Sequence, residues 1–143
     1  MSGRRERVYF TDRDLGKRFG EILKAGGLRV ERHADHFADD TPDEVWLADI
    51  GNRGWIALTH DRRIRYKPNE RDAVMRHGVA LLVIVGDAPF AELAHAFVAT
   101  IPRIEQFLAS HRPPFIAKVY RPSPDKTAPS RAEPGRVELW YPG

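Results

Sequence analysis

The chain contains no cysteine, which excludes a disulfide framework and any thiolate-held metal or cluster. A metal, if used, is held by oxygen or imidazole. There is no run of about eighteen or more apolar residues, and the opening "MSGRRER" is charged with no apolar segment behind it. Neither a membrane span nor a secretory signal is therefore expected, and the expected location is cytoplasmic. Internal repeats are absent. Neither sign of charge dominates, with 23 Lys and Arg against 20 Asp and Glu, a net charge of +3 and a pI near 9.4. The cations nevertheless cluster, in "GRRER" and in "DRRIRYK", and basic patches beside acids suit a polyanionic partner as well as a plain solvated surface. What remains is a chain of 143 residues, 42% hydrophobic, long enough for one domain with a real core.

Its elements alternate. Val8, Tyr9 and Phe10 read as a covered strand, and "LGKRFGEILKAGG" as an amphipathic helix stopped by Gly26 and Gly27. "GLRVERH" (27–33) is a short second strand, followed by a polar acidic loop, "ADHFADD". "TPDEVWLADIGNRG" begins a helix, with Thr41 expected as N-cap, Pro42 in the first helical position, Asp43 and Glu44 in the first turn, and Val45, Leu47 and Ile50 on its buried side. "WIALTHD" (55–61) is a third strand, "PNERDAVMRHG" a third helix and "VALLVIVG" the most apolar strand, suited to the middle of a parallel sheet. "PFAELAHAFVATIPRIEQFLASH" is a long helix in which Pro102 predicts a kink or break, and "PPFIAKVYRP" is a fifth strand. "SPDKTAPSRAEPG" reads as a loose loop, and "RVELWYPG" as a short edge strand or a tail. Strands separated by helical patterns predict a three-layer α/β sandwich with a mainly parallel central sheet and a short C-terminal extension. The expected domain spans 1–121 and the extension 122–143.

Chemistry concentrates where strands end. Asp12 and Asp14 follow the first strand, and Thr59, His60 and Asp61 follow the third. In a parallel α/β sheet the carboxyl ends of the strands share one edge, so these acids can converge, and a helix that starts at that edge brings Asp43 and Glu44 to them. Capping alone would explain one Asp after the first strand, but not two. Crowded carboxylates either hold a proton or attract a cation. With oxygen donors and no thiolate, Mg²⁺ or Mn²⁺ is the expected ion, and metal-assisted phosphodiester hydrolysis the expected chemistry.

The order "FTDRD", then "PDE" at a helix start, then "LTHD" resembles the PIN-like ribonuclease superfamily, in particular the small VapC-like toxins of bacterial toxin–antitoxin systems. The resemblance covers about residues 7–121. It implies a PIN-like domain that binds Mg²⁺ or Mn²⁺ and cleaves single-stranded RNA. Asp12 then matches the first-strand acid, Asp43 or Glu44 the helix acid, and Thr59 with Asp61 the Thr-x-Asp motif, so that Asp12, Asp43, Glu44, Thr59 and Asp61 are the candidate catalytic set. Asp12, Asp14, Asp43, Glu44 and Asp61 are the candidate metal ligands. Asp14 stands where the family often has Asn or another polar residue, and Arg63 where many relatives carry a further acid.

Behind this edge, Arg62, Arg63, Arg65 and Lys67 are candidates for RNA phosphates and Tyr66 for stacking on a base. The resemblance implies RNA and an antitoxin protein as partners, with a second copy of the chain as a further candidate and no membrane. Aromatic surface beside the tail is a candidate antitoxin surface. Two other readings compete. One is a nucleic-acid-binding PIN-like module without catalysis. The other is a phosphorylation-receiver domain, with Asp61 as acceptor and Lys118 as the fifth-strand lysine, although Gly86 and Asp87 stand where receivers place Ser or Thr. His33 and His36 lack a third ligand at suitable spacing, and alternation turns His60 away from Thr59 and Asp61. Trp46 and Trp55 are expected in the core or an interface.

Overall fold

The computed structural model describes residues 7–122 and 134–142. Six strands form one sheet in the order β2-β1-β3-β4-β5-β6: β1 (Val8–Thr11), β2 (Arg29–Arg32), β3 (Ile56–Thr59), β4 (Ala80–Val85), β5 (Phe115–Tyr120) and β6 (Arg136–Tyr141). The first five are parallel and β6 runs antiparallel to β5. Four helices connect the parallel strands: α1 (Gly16–Ala25), α2 (Asp43–Arg53), α3 (Pro68–Arg76) and α4 (Phe90–Ser110).

Two apolar layers follow from the period-two alternation of the strands. Tyr9, Leu58, Leu82 and Ala117 point to one face and pack with Phe19 and Leu23 of α1 and Phe97 and Ile104 of α4. Phe10, Ala57, Leu81, Val83 and Ile116 point to the other and pack with Trp46, Leu47 and Ile50 of α2 and Val74 of α3. Phe10 is fully buried, with its ring 5.3 Å from that of Trp46 and 5.9 Å from that of Phe37. Truncating such an anchor to alanine costs about 3–5 kcal/mol.

The expected three-layer sandwich is present, and several local expectations are corrected. α2 begins at Asp43, with extended Pro42 in the cap position and no side-chain cap from Thr41. The Pro42 carbonyl accepts the N–H groups of Val45 and Trp46, so the first turn closes one residue later than the Thr-Pro pattern suggested. Val45 is exposed, and Trp46 takes the buried place beside Leu47 and Ile50, because positions 46, 47 and 50 share one face of the helix whereas 45 and 47 point to nearly opposite sides. α4 runs unbroken through Pro102. The proline forgoes one backbone bond, while Phe97, Ile104 and Phe107 keep both halves against the same core.

"RVELWY" is a strand: β6 pairs with β5, and its entry is tied to α4 by Gly135 N–H donating to Thr100 Oγ1 at 2.9 Å and Arg103 donating to the Gly135 carbonyl at 2.8 Å. Most of the expected loose loop, residues 123–133, lies outside the described residues.

The placing of β3 on the opposite side of β1 from β2 matters most for function. The chain leaves β1 in one direction for β2 and returns on the other side for β3, which opens a crevice between the carboxyl ends of β1 and β3.

Candidate active site

Immediately after β1, Asp12 N–H reaches across to the Leu58 carbonyl of β3 at 3.0 Å, which holds the two strand ends together. The Asp12 carboxylate has two tasks. Oδ1 accepts the Arg13 N–H at 2.7 Å and caps the 3-10 turn Arg13–Leu15, while Oδ2 accepts the Thr59 hydroxyl at 2.9 Å. Asp12 is therefore a cap and a site residue at once. That short turn brings Asp14 back over the crevice, where its Oδ2 lies 3.2 Å from the same hydroxyl and accepts the His60 N–H at 3.1 Å. Thr59 in turn accepts the Asp61 N–H at 3.2 Å.

One hydroxyl cannot donate fully to two ionised carboxylates. Burial, reinforced by the neighbouring charge of Asp14, pushes the Asp12 carboxyl up to about 7, against lowering by the Thr59 and Arg13 hydrogen bonds. Asp14 is raised as well, by burial of its carboxylate end, with the His60 N–H and Thr59 opposing. A proton on Asp12 Oδ2, donated to Thr59 Oγ1, leaves that hydroxyl free to donate to Asp14 and satisfies all three oxygens.

Asp61 and Asp43 line the same cleft, of about 720 Å³, in a different electrostatic state. The Asp61 carboxylate is bound by Lys67 at 2.9 Å and Arg63 at 3.0 Å. Burial would raise it, but the bonds from Lys67 and Arg63 together outweigh burial and hold it below the ordinary carboxylate range. The Asp43 carboxylate accepts from Arg13 at 3.2 Å and from the Trp46 indole at 2.9 Å. Arg13 also donates to the Asp39 and Thr41 carbonyls and so clasps the loop before α2 to the end of β1.

Among the described residues, no three His, Asp or Glu side chains converge closely enough to hold a metal ion. The donor chemistry at the Asp12–Asp14 pair fits a hard divalent cation: oxygen atoms only, raised proton affinity and, among the described residues, no basic side chain bonded to either carboxylate. Asp61 or Asp43 can join that pair only by exchanging its own Lys or Arg.

The other expected residues are placed as follows. Glu44 is turned away from the crevice and lines a separate hollow with Asn69, Asp72 and Arg76. Arg62 and Arg63 are exposed at the cleft, whereas Arg65 donates to the Trp140 carbonyl at 3.2 Å and lies among the rings of Tyr66, Trp140 and Tyr141. Tyr66 is 64% exposed. The His60 imidazole Nε2 is 2.8 Å from the Gly86 carbonyl and its ring packs edge-on against Phe90. Lys118 Nζ sits 4.2 Å over the Trp140 ring. His33 is buried, and neither of its ring nitrogens has a hydrogen-bond partner; burial, ahead of the charge of Arg13, lowers its pKa. His36 instead bonds Glu31 at 2.7 Å. Sequence reasoning passed over Arg13 and Asp39, whose only signal was their closeness to the acids.

The crevice lies at a switch point of the sheet, where open α/β folds place their ligands, and it is floored by a carboxylate pair and walled by ion-paired acids and exposed arginines. Residues 8–86, more than half of the chain, match the family model of the PIN-like domain, and the chain belongs to that family. The matched segment contains Asp12, Asp14, Asp43, Thr59 and Asp61, and ends before α4. Neither the curated proteins nor the solved structures give a match.

Proposed function

We propose that this chain is a metal-dependent endoribonuclease, the toxin of a toxin–antitoxin pair, acting in the cytoplasm. The observation that carries the reading is the Asp12–Asp14 pair around Thr59, raised in proton affinity and without a basic partner among the described residues, within a PIN-like domain. Mg²⁺ or Mn²⁺ bound there, with Asp61 and Asp43 as further carboxylates, supplies the positive charge that a phosphodiester needs as negative charge develops in its transition state. Thr59 spaces the two carboxylates and fixes their rotamers. The raised proton affinity of Asp12 marks a buried carboxylate that would exchange its proton for the cation. Arg62 and Arg63 at the cleft mouth bind phosphates on either side of the reacting one. Lys67 and Arg63, which pair with Asp61 at the cleft, are cations that would also suit a phosphate there.

The ion-pairing of Asp61 also supports a second reading, a PIN-like module that binds nucleic acid without cutting it. Incubation of purified protein and of Asp12→Asn with single-stranded RNA, with and without Mn²⁺, separates the two. Cleavage that needs Mn²⁺ and disappears in Asp12→Asn supports the nuclease, and intact RNA in every lane supports the silent module. For the toxin assignment, expression of the chain alone slows growth, Asp12→Asn is harmless, and a protein encoded beside it restores growth by covering the acidic crevice. Harmless expression of a protein that cleaves RNA in vitro would leave the nuclease and remove the toxin.

A further inference from the structure

The side of the sheet that carries α2 and α3 changes character at its far end. α3 reaches as far as β5, whereas the helix packed on β6, α4, lies on the opposite face. Alternation from Ile116 places Lys118 and Tyr120 of β5, and their partners Glu138 and Arg136 of β6, on the α3 side. Alternation from Glu138 places Trp140 on that side too, and a register shift beside Ile116 brings Tyr141 with it, so that both pack at the margin of the Phe10 layer.

The side chains there form pairs of a ring and a cation. The Arg136 guanidinium lies 3.9 Å over Tyr120, and Lys118 Nζ lies 4.2 Å over Trp140. Tyr66 meets Trp140 edge-on at 5.9 Å, with Arg65 5.4 Å from the Tyr66 ring. Such contacts would serve to pin β6 to the sheet, but pinning does not require a ring as exposed as Tyr66 at 64%. Nor does it require Arg136 to stay exposed above Tyr120.

The position of this face adds a second argument. Lys118 pairs with Val83 and Val83 with Thr59, so the face is level with the hydroxyl of the crevice and two strand spacings away, about 10 Å. The 3-10 turn Arg62–Tyr66 links the two: it leaves Asp61 in the crevice, presents Arg62 and Arg63 at the mouth and ends at Tyr66.

We propose that the face formed by Tyr66, Trp140, Lys118, Tyr120 and Arg136, which carries no helix among the described residues, is a stacking platform for unpaired bases of single-stranded RNA, which it delivers to the acidic crevice. The exposed Tyr66 ring and the guanidinium plane that Arg136 lays over Tyr120 offer stacking surfaces to bases, with Lys118 beside them for phosphate, and only unstacked bases can use them. The proposal deepens the nuclease reading and rests on it for the identity of the strand. The platform lies largely outside the segment shared with the family, since β5 and β6 follow residue 86.

The test is binding of fluorescein-labelled oligoadenylate and oligouridylate RNA 12-mers, and of a duplex, to the full chain in EDTA, read by anisotropy. Tyr66→Ala, Arg136→Ala and Trp140→Leu are each expected to weaken single-strand binding roughly tenfold and to leave duplex binding nearly unchanged. Trp140→Phe restores most of the loss. Because Tyr66 and Arg136 are exposed, their variants keep the test open even if Trp140→Leu does not fold, which a circular dichroism melt reports. Variants that bind the single strand like the wild type overturn the platform, as does an equal loss on single strand and duplex.

Failure of the nuclease reading is visible separately. If the wild type binds single strands through these residues but never cleaves with Mn²⁺, the platform stands and the nuclease falls. If it cleaves and the variants keep the wild-type Kd and KM, the nuclease stands and the platform falls.

Discussion

Two pairs of acids share one sheet edge and live in opposite electrostatic states. Asp12 and Asp14 face each other across a single hydroxyl, and Asp12 is pushed up to about 7. Asp61 and Asp43, in the same cleft, are each bound by cationic side chains: Asp61 by Lys67 and Arg63, Asp43 by Arg13. The residue type is the same throughout, so the difference comes from which turn supplies a cation. The first pair is built to attract a cation from solution, and the second is already neutralised. Removing or adding one charge at a time tests that contrast.

The largest effect is expected from Asp12→Asn. Cleavage falls by roughly a hundredfold or more, while stability rises at alkaline pH. The folded protein keeps the Asp12 proton up to about 7, whereas the unfolded chain releases it near the ordinary value of 3.8. Stability therefore declines as pH rises between these values, and above 7 the charged, buried Asp12 works against the fold. Thermal melts should show Asp12→Asn more stable than the wild type at pH 8, on the order of 2 kcal/mol, and equal to it near pH 4. Equal melting at both pH values would remove the strained pair.

Thr59→Val comes next. The hydroxyl lowers Asp12 by hydrogen bonding, so its loss raises Asp12 further in the metal-free protein, which the midpoint of the Asp12 carboxyl titration by NMR in EDTA reads as a shift to higher pH, and cleavage with Mn²⁺ drops roughly tenfold. An unchanged titration and an unchanged cleavage rate would leave Thr59 a structural residue. Lys67→Met attacks the other side of the comparison. It frees Asp61 to turn toward the crevice, so Mn²⁺ affinity by titration calorimetry should tighten several-fold. The same change removes part of the stability that the lowered Asp61 supplies above its ordinary pKa and loses as pH falls. Unchanged Mn²⁺ affinity would mean that Asp61 is no ligand.

Arg62→Ala should reduce the slope of log affinity against log salt by about 0.7, the share of one single-strand phosphate contact, whereas Arg65→Ala mainly loosens β6. The smallest effect is expected from Glu44→Gln, because Glu44 faces the hollow beside Asp72 and Arg76. A large loss of cleavage in that variant would overturn the choice of Asp43 over Glu44.

Much of this arrangement was legible in the chain. Alternating apolar strands and amphipathic helices dictated a parallel α/β sandwich, since parallel neighbours need crossovers and each crossover carries a buried stripe. The rule that strand ends share an edge was enough to bring Asp12, Asp14, Asp43, Thr59 and Asp61 together. The strength of that inference lay in period and order, which are local properties.

What the sequence could not reveal was direction and pairing. Asp43 and Glu44 are neighbours in one helical turn, and only the docking of α2 against α3 turned one to the crevice and the other away. "RRIRYK" reads as a uniform basic strip, yet the 3-10 turn points Arg62 to solvent, gives Arg63 and Lys67 to Asp61 and folds Arg65 under β6. Burial made the same difference for charge: a carboxyl in the chain is an ordinary acid, and Asp12 becomes a group near 7 only when the sheet removes its water and sets Asp14 beside it. Local patterning thus determined the elements and the edge on which the acids gather. Tertiary packing decided which acids keep a proton, which are already paired and where the rings of β6 lie, because solvation and ion pairing depend on neighbours distant in sequence.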